Sequence, residues 1–284
     1  MRSQSVLFED IRRPLINDIP NPADFEEFLI DSEGKLWLTS KMDKCQGTSE
    51  IHVFCGQGHL LEQKCVKGKV SLYESSHWLV AACEGEDGYG YVYQFDKTAI
   101  TLLNEWQIDG FLWDLAIDHN HLHAVSYSPK DNHAYLTSIS TLGKDSLCLG
   151  EGFFPTGIIK YGAGFYVTTC QLTEPNRGKL LQLDESGIIV NTVIVDTSPR
   201  QLFRYDGDLI LHGLNMETGR ADHLVYIHLQ TLKAATYNIP KTKDIREQNQ
   251  HLLLYNDDKQ SLFYWNHQKR KVTSVIHLSR TLNS

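Results

Sequence analysis

Six times along the chain a short polar turn runs straight into an apolar strand: SEGKLWL, ESSHWLV, DHNHLHA, YGAGFYV, YDGDLIL and QNQHLLL. These strands begin near Lys35, His77, His121, Gly164, Asp208 and His251, in steps of 42, 44, 43, 44 and 43 residues. A period of this length holds one four-stranded antiparallel unit, and its repetition is the sequence signature of a β-propeller. A lone unit would leave both faces of its sheet in water, so neighbouring units must stack to cover them. The fold class is therefore all-β, with six four-stranded blades expected over residues 23–284. Seven would require the N-terminal arm, residues 1–22, to add more than its one strand-like stretch, Ser5 to Glu9.

The segment from Glu84 to Asp118, EGEDGYGYVYQFDKTAITLLNEWQIDGFLWDLAID, is the best-patterned copy. A buried strand from His77 to Cys83 enters it through a Gly- and acid-rich loop. Tyr89 to Phe95 then alternates aromatic with small or polar residues, a period of two that belongs to strands. Ile100 to Gln107 reads as the next strand, and Asp109-Gly110 turns the chain into Leu112 to Ile117. Stretches outside strands, such as Leu172 to Gly178 and Gly213 to Asp222, are short and carry Gly, Pro or Asn, so helices should be almost absent.

A net charge of -8 argues against nucleic acid or an anionic membrane as the partner. No apolar run reaches the roughly 18 residues needed to span a bilayer, and the first residues lack a signal-peptide core, so a cytoplasmic protein is expected. The six cysteines, Cys45, Cys55, Cys65, Cys83, Cys148 and Cys170, include no CxxC pair and read as free, buried thiols.

In a propeller, loops entering the first strand of each blade and loops leaving the second lie on one face. Eight residues before each second strand stand Glu27, Lys69, Trp113, Thr156, Arg200 and Lys243; seven after each start stand Met42, Glu84, Ser128, Gln171, Asn215 and Asp258. Three cations among these positions, in an acidic protein, point to an anion. Arg200 suits a carboxylate or phosphate in bidentate fashion, and Lys69 and Lys243 add point charges. The alternation His119-x-His121-x-His123 has metal-like spacing, but it falls on a turn and a strand start. A cation beside Arg200 would be repelled, so a divalent metal is not expected, and no Gly-rich phosphate loop precedes a helix, so no cofactor is expected.

Several of these segments resemble the lactonase family of β-propellers that includes the bacterial 6-phosphogluconolactonases. The likeness is carried by LTSKMDKCQGTSEIHVFCGQGHL in the first blade, AACEGEDGYGYVYQF and LLNEWQIDGFLWDLAID around the second, and SPRQLFRYDGDL in the fifth. It implies the propeller fold and a sugar-lactone hydrolase. Of the family's proposed site residues, Arg200 matches. Thr156 and Gln201 stand where the family has histidines, Asp257 stands where it has an arginine, and the acid position falls near Asn215, with Glu217 two residues on. If the chain hydrolyses a lactone, Arg200 is the group expected to stabilise the oxyanion, and Glu84 or Glu217 the candidate general base for water. Two functions follow: a lactonase-like propeller that acts on or binds a small anionic sugar-derived compound, or a non-catalytic scaffold whose face takes a protein or small molecule.

Overall fold

The computed structural model describes residues 25–119, 121–174, 176–248, 251–256, 258–259 and 261–277, which form 24 β-strands and no helix. The arm with its expected strand, Ser5 to Glu9, and Asp257 lie outside the described residues. The strands make six four-stranded antiparallel sheets, each in simple sequence order, so the fold is a six-bladed β-propeller. Blade 1 holds β1 (Phe25–Ile30), β2 (Leu36–Ser40), β3 (Thr48–Phe54) and β4 (Leu60–Lys67); blade 2 holds β5 (Lys69–Glu74), β6 (Trp78–Glu84), β7 (Tyr89–Asp96) and β8 (Leu102–Asp109). Blade 3 holds β9 (Phe111–Asp118), β10 (His121–Ser128), β11 (His133–Ser140) and β12 (Gly143–Glu151); blade 4 holds β13 (Phe153–Tyr161), β14 (Gly164–Gln171), β15 (Gly178–Leu183) and β16 (Ile189–Val195). Blade 5 holds β17 (Ser198–Tyr205), β18 (Asp208–Asn215), β19 (Arg220–His228) and β20 (Ala234–Asn238); blade 6 holds β21 (Asp244–Gln248), β22 (His251–Asn256), β23 (Ser261–Asn266) and β24 (Lys271–His277).

The second strands start where the repeat places them, within one residue in every blade. The strand expected from Ile100 starts instead at Leu102. Asp96 accepts the amides of Thr98 and Ala99, both at 2.8 Å, and the turn so capped runs on through Ile100 at φ 54°.

Two compact units divide these sheets, one carrying β1 to β8, the other most of blade 3 and all of blades 4 to 6. In the first unit, blades 1 and 2 share a core of Trp37, Ile51, Val53, Leu79 and Phe95. In the second, Leu209 and Leu211 of β18 pack with Tyr166 and Leu180 of blade 4, while Ile210 between them packs with Leu252 and Trp265 of blade 6. Adjacent residues enter different cores because strand side chains alternate between faces. The fourth strands are different: β4 and β8 are exposed at alternate positions and β12 along most of its length. This corrects the expectation for the cysteines. All six are free, but Cys65 and Cys148, on fourth strands, and Cys45, in a turn, are exposed, and Cys83 alone is fully buried.

Each unit has a polar pin. In the first, Lys97 is 1% exposed, and its Nζ donates to Glu74 Oε1 at 2.7 Å, Ser32 Oγ at 2.8 Å and Ser75 O at 2.8 Å. Three donors meet three acceptors, which is what a buried ammonium requires. In the second, Trp265 Nε1 donates to Tyr226 Oη at 2.6 Å, and Tyr226 Oη lies 3.1 Å from His267 Nδ1. One proton shared between Tyr226 Oη and His267 Nδ1 completes the chain from Trp265. The imidazole also stacks on Tyr205, with 3.9 Å between centroids.

Replacing Lys97 by Met should destabilise the protein by about 3 kcal/mol in a urea melt, because Glu74 and the Ser75 carbonyl lose their partner. Burial raises the Glu74 carboxyl, but the Lys97 ammonium and the Ser32 hydrogen bonds outweigh it and hold it below the ordinary value. Its contribution is therefore present above the ordinary carboxylate range and lost as pH falls through the lowered value, and the K97M protein should lose that part of the pH dependence. For His267, burial first and then neighbouring His251 pull the imidazole from 6.5 to about 4. The neutral ring stabilises the fold fully above pH 6.5, and that stability should drain as pH falls towards 4. A melting temperature flat across this range in wild type, or an unchanged fall in His267→Phe, would contradict this assignment.

Candidate functional site

The ladder between first and second strands breaks at one repeated place. In blade 4, Pro155 pairs with Thr169 and Gly157 with Thr168, so Thr156 is an extra residue between them. In blade 5, Pro199 pairs with Gly213 and Gln201 with His212, leaving Arg200 extra. In blade 1, Phe25 pairs with Ser40 and Glu27 with Thr39, leaving Glu26. A bulge of this kind frees one side chain from the alternation and re-aims it. In two of the three cases proline precedes the bulged residue, and proline has no N–H to give the ladder.

In the second unit, three first strands adjoin at this level. A Cβ built on Gly157 would stand 3.1 Å from Leu202 Cβ of β17 and 3.6 Å from Asp114 Oδ2 of β9, and Asp114 Oδ2 accepts the amide of Ile158 at 2.8 Å. A side chain here would crowd Thr168 Oγ1 at 2.9 Å and Leu202 Cβ, and the close approach carries Trp113, Thr156 and Arg200 on the first strands of three successive blades. Arg200 is exposed, and its guanidinium makes no hydrogen bond or ion pair among the described residues. The Thr156 hydroxyl donates to Thr168 Oγ1 at 3.1 Å. Cys170 Sγ lies 2.7 Å from Ser198 Oγ, and burial pushes its thiol up, against the hydrogen bonds of Ser198 and Thr156. A thiol so raised is protonated at neutral pH and is a poor nucleophile. Trp113 stands edge-on to Phe154 at 6.1 Å, and Phe154 is backed by Tyr127 at 4.1 Å.

The other candidates of this unit have local roles. Asn215 Oδ1 accepts the amides of Glu217 at 3.1 Å and Thr218 at 3.0 Å, closing its own turn. Glu217 is exposed on that turn, and Lys243 is exposed just before β21, its amide bonded to Tyr255 O at 2.8 Å. Sequence reasoning missed the pair beside Arg200 in which His223 Nε2 lies 2.8 Å from Thr197 Oγ1; no motif marks it, because the two residues meet across β18.

In the first unit, Gly68 (φ 86°) lets the chain pass Glu84, since a Cβ there would come within 2.4 Å of the Glu84 carbonyl. The next residue, Lys69, pairs with Glu84 in register and makes an ion pair with Glu26 at 2.9 Å. Burial raises the Glu84 carboxyl and Lys69 partly offsets it. Glu27 is half-buried, with its amide on Thr39 Oγ1 at 3.2 Å, so in this blade the bulged position belongs to Glu26. Among the described residues no group of three His, Cys, Asp or Glu is placed to hold a metal ion, and His123 is buried against Phe165, with 4.5 Å between centroids. A cavity of about 430 Å³ lies at the other end of blade 4, lined by Tyr161, Tyr166, Gln182 and Glu185 among others, and none of the candidate residues reaches it. No helix among the described residues is long and apolar enough to cross a membrane.

No family model matches the chain, and no curated protein matches it. Solved structures do. Hydrazine synthase from Kuenenia stuttgartiensis is similar at TM-score 0.66 and 11% identity, over 85% of this chain and 76% of that one. A candidate 6-phosphogluconolactonase from Bacteroides uniformis is similar at TM-score 0.64 and 12% identity, over 87% and 82%. KlAtg21, in complex with the coiled coil of AgAtg16, is similar at TM-score 0.60 and 11% identity, over 86% and 82%. Identities this low, spread over such different proteins, establish the shared propeller fold and nothing of the chemistry.

The thiols offer a check on the site. At neutral pH a thiol-titrating disulfide should modify Cys45, Cys65 and Cys148 fast, Cys170 slowly, and Cys83 only after unfolding. Fast labelling of Cys170, read by mass spectrometry, would show a reactive thiolate beside Ser198 and reopen it as a nucleophile.

Proposed function

We propose that the protein binds a small carboxylated or phosphorylated sugar-derived compound, anchored on Arg200. The observation that carries this reading is an exposed guanidinium on a β-bulge, with no partner among the described residues, in a chain of net charge -8. An arginine that served only stability would be expected to take one of the many carboxylates. Its five fixed donors match a carboxylate or phosphate in the bidentate manner. The hydroxyl of Thr156, on the adjoining strand, adds a neutral polar group, and the overall negative charge favours a small anion over a polyanionic nucleic acid.

Lactone hydrolysis is the second reading, and one observation favours it. The Glu84 carboxyl, raised by burial, is moved towards the range in which a carboxylate works as a general base. Against it, Thr156 has no titratable group where the resembling family has histidine, and Glu217 sits on an exposed turn. Loss of one acid-base or oxyanion contact commonly costs about a hundredfold.

A thermal-shift series decides the first reading. At about a hundredfold excess over Kd, 6-phosphogluconate should stabilise the wild type by about 2.7 kcal/mol, with glucose giving no shift and Arg200→Ala abolishing the response without lowering the melting temperature itself. Equal shifts with neutral and anionic sugars would overturn it. In parallel, loss of 6-phosphogluconolactone at neutral pH should stay at the spontaneous rate with or without chelator. Turnover that Arg200→Ala abolishes would make the protein a working lactonase.

A further inference from the structure

Across β13 from Arg200, one aromatic side chain is left partly in water. Trp113 is 46% exposed, a large apolar side chain left half in water. It is nonetheless held: its ring stands edge-on to Phe154 at 6.1 Å and 84°, Phe154 packs on Tyr127 at 4.1 Å, and the Tyr127 hydroxyl donates to Asn132 Oδ1 at 2.9 Å. Tyr127 itself is buried, so the support is anchored in the sheet. The indole N–H, like the Arg200 guanidinium, has no acceptor among the described residues. A fixed, half-exposed indole whose donor is not spent on the fold is suited to take a ring.

We infer that Trp113 selects the ring form of the ligand: the compound held by Arg200 is a closed-ring sugar phosphate or sugar acid whose apolar C–H face lies on the indole. The inference rests on the anion-binding reading and sharpens it. Trp113 lies one residue before Asp114, and Thr156 one residue before Gly157; Arg200 is the bulged residue two before Leu202. A Cβ on Gly157 would stand 3.6 Å from Asp114 Oδ2 and 3.1 Å from Leu202 Cβ, so the residues that carry the indole, the hydroxyl and the cation lie near one level of β9, β13 and β17. An open-chain acid of the same charge would satisfy Arg200 but offer the indole a flexible polyol, which loses more conformational freedom on ordering. A ring presents a rigid face, and burying it also excludes water from the neighbouring ion contact.

The test uses three probes that share one anion: inorganic phosphate, sorbitol 6-phosphate as the open chain, and glucose 6-phosphate as the ring. Binding is measured by calorimetry and by tryptophan fluorescence in wild type, Trp113→Ala, Trp113→Phe and Arg200→Ala. Wild type should favour the ring over the open chain by about tenfold, the order of one good ring contact. Trp113→Ala should bring that ratio to about one and leave phosphate binding unchanged, Trp113→Phe should restore part of the preference, and Arg200→Ala should weaken all three probes. Anion binding in wild type with no ring preference, or a Trp113→Ala protein weakened equally for all three, would overturn the role of Trp113 and leave the Arg200 reading standing. No binding of any probe by wild type would overturn both.

Discussion

A sheet buried on both faces has no spare side chain, and this constraint governs everything that the blades can do. In β18, Leu209 and Leu211 are taken by the core shared with blade 4, and Ile210 by the core shared with blade 6. A slip of one residue would exchange the two sets, so the register is fixed from both sides. The same holds in the first unit, where Trp37, Leu79 and Phe95 fill one core and the Trp37 N–H is given to Asp31 Oδ2 at 2.9 Å. Chemistry has room only where the alternation ends or is broken: at turns, on exposed fourth strands, and at bulges.

The bulges are accordingly the informative positions. At Arg200 the chain inserts a residue that neither core claims, and the proline before it carries no N–H for the ladder to miss. The guanidinium is thus exposed by backbone geometry and not by loop disorder. Beside it, Gly157 lacks the Cβ that would press on Leu202 of β17 at 3.1 Å. One residue type admits close packing and another escapes it, and together they put an indole and a cation on the two first strands that flank β13.

How much of this was legible in the sequence follows from the same physics. The second strands are apolar on both faces and each follows a polar turn, so their starts were readable to within a residue from Lys35 to His251. Counting back eight residues found Thr156 and Arg200, because in those blades the count absorbs the bulge. In blade 1 it landed on Glu27, while Glu26 takes the bulge, because the turn between Ile30 and Leu36 is longer than those between Tyr161 and Gly164 and between Tyr205 and Asp208. The prolines of FFPTGI and SPRQL mark the bulge, and Phe25-Glu26 has none. Contacts made across a sheet, such as His223 with Thr197, depend on register between strands far apart in sequence and were not visible. The exposed thiols of Cys65 and Cys148 were missed because a fourth strand reads like any other strand until one knows that only one neighbour flanks it.

Electrostatics separates the three cations that sequence had grouped together. Lys69 is spent on Glu26 at 2.9 Å and faces Glu84 in register, so its local field is already balanced by carboxylates. An exposed pair of this kind is worth about 0 to 1 kcal/mol, and an arriving anion would have to compete with groups that cost little to displace but remain nearby and repel it. Lys243 sits at a strand entrance, exposed and strongly hydrated. Arg200 differs in kind: it is weakly hydrated, planar, unpaired among the described residues and set on a bulge. An anion meeting it displaces no carboxylate, and its two oxygens can each take an N–H along one edge of the fork. Of the three, Arg200 alone returns its full charge to a ligand, which is why the functional reading rests on that residue and not on the number of cations.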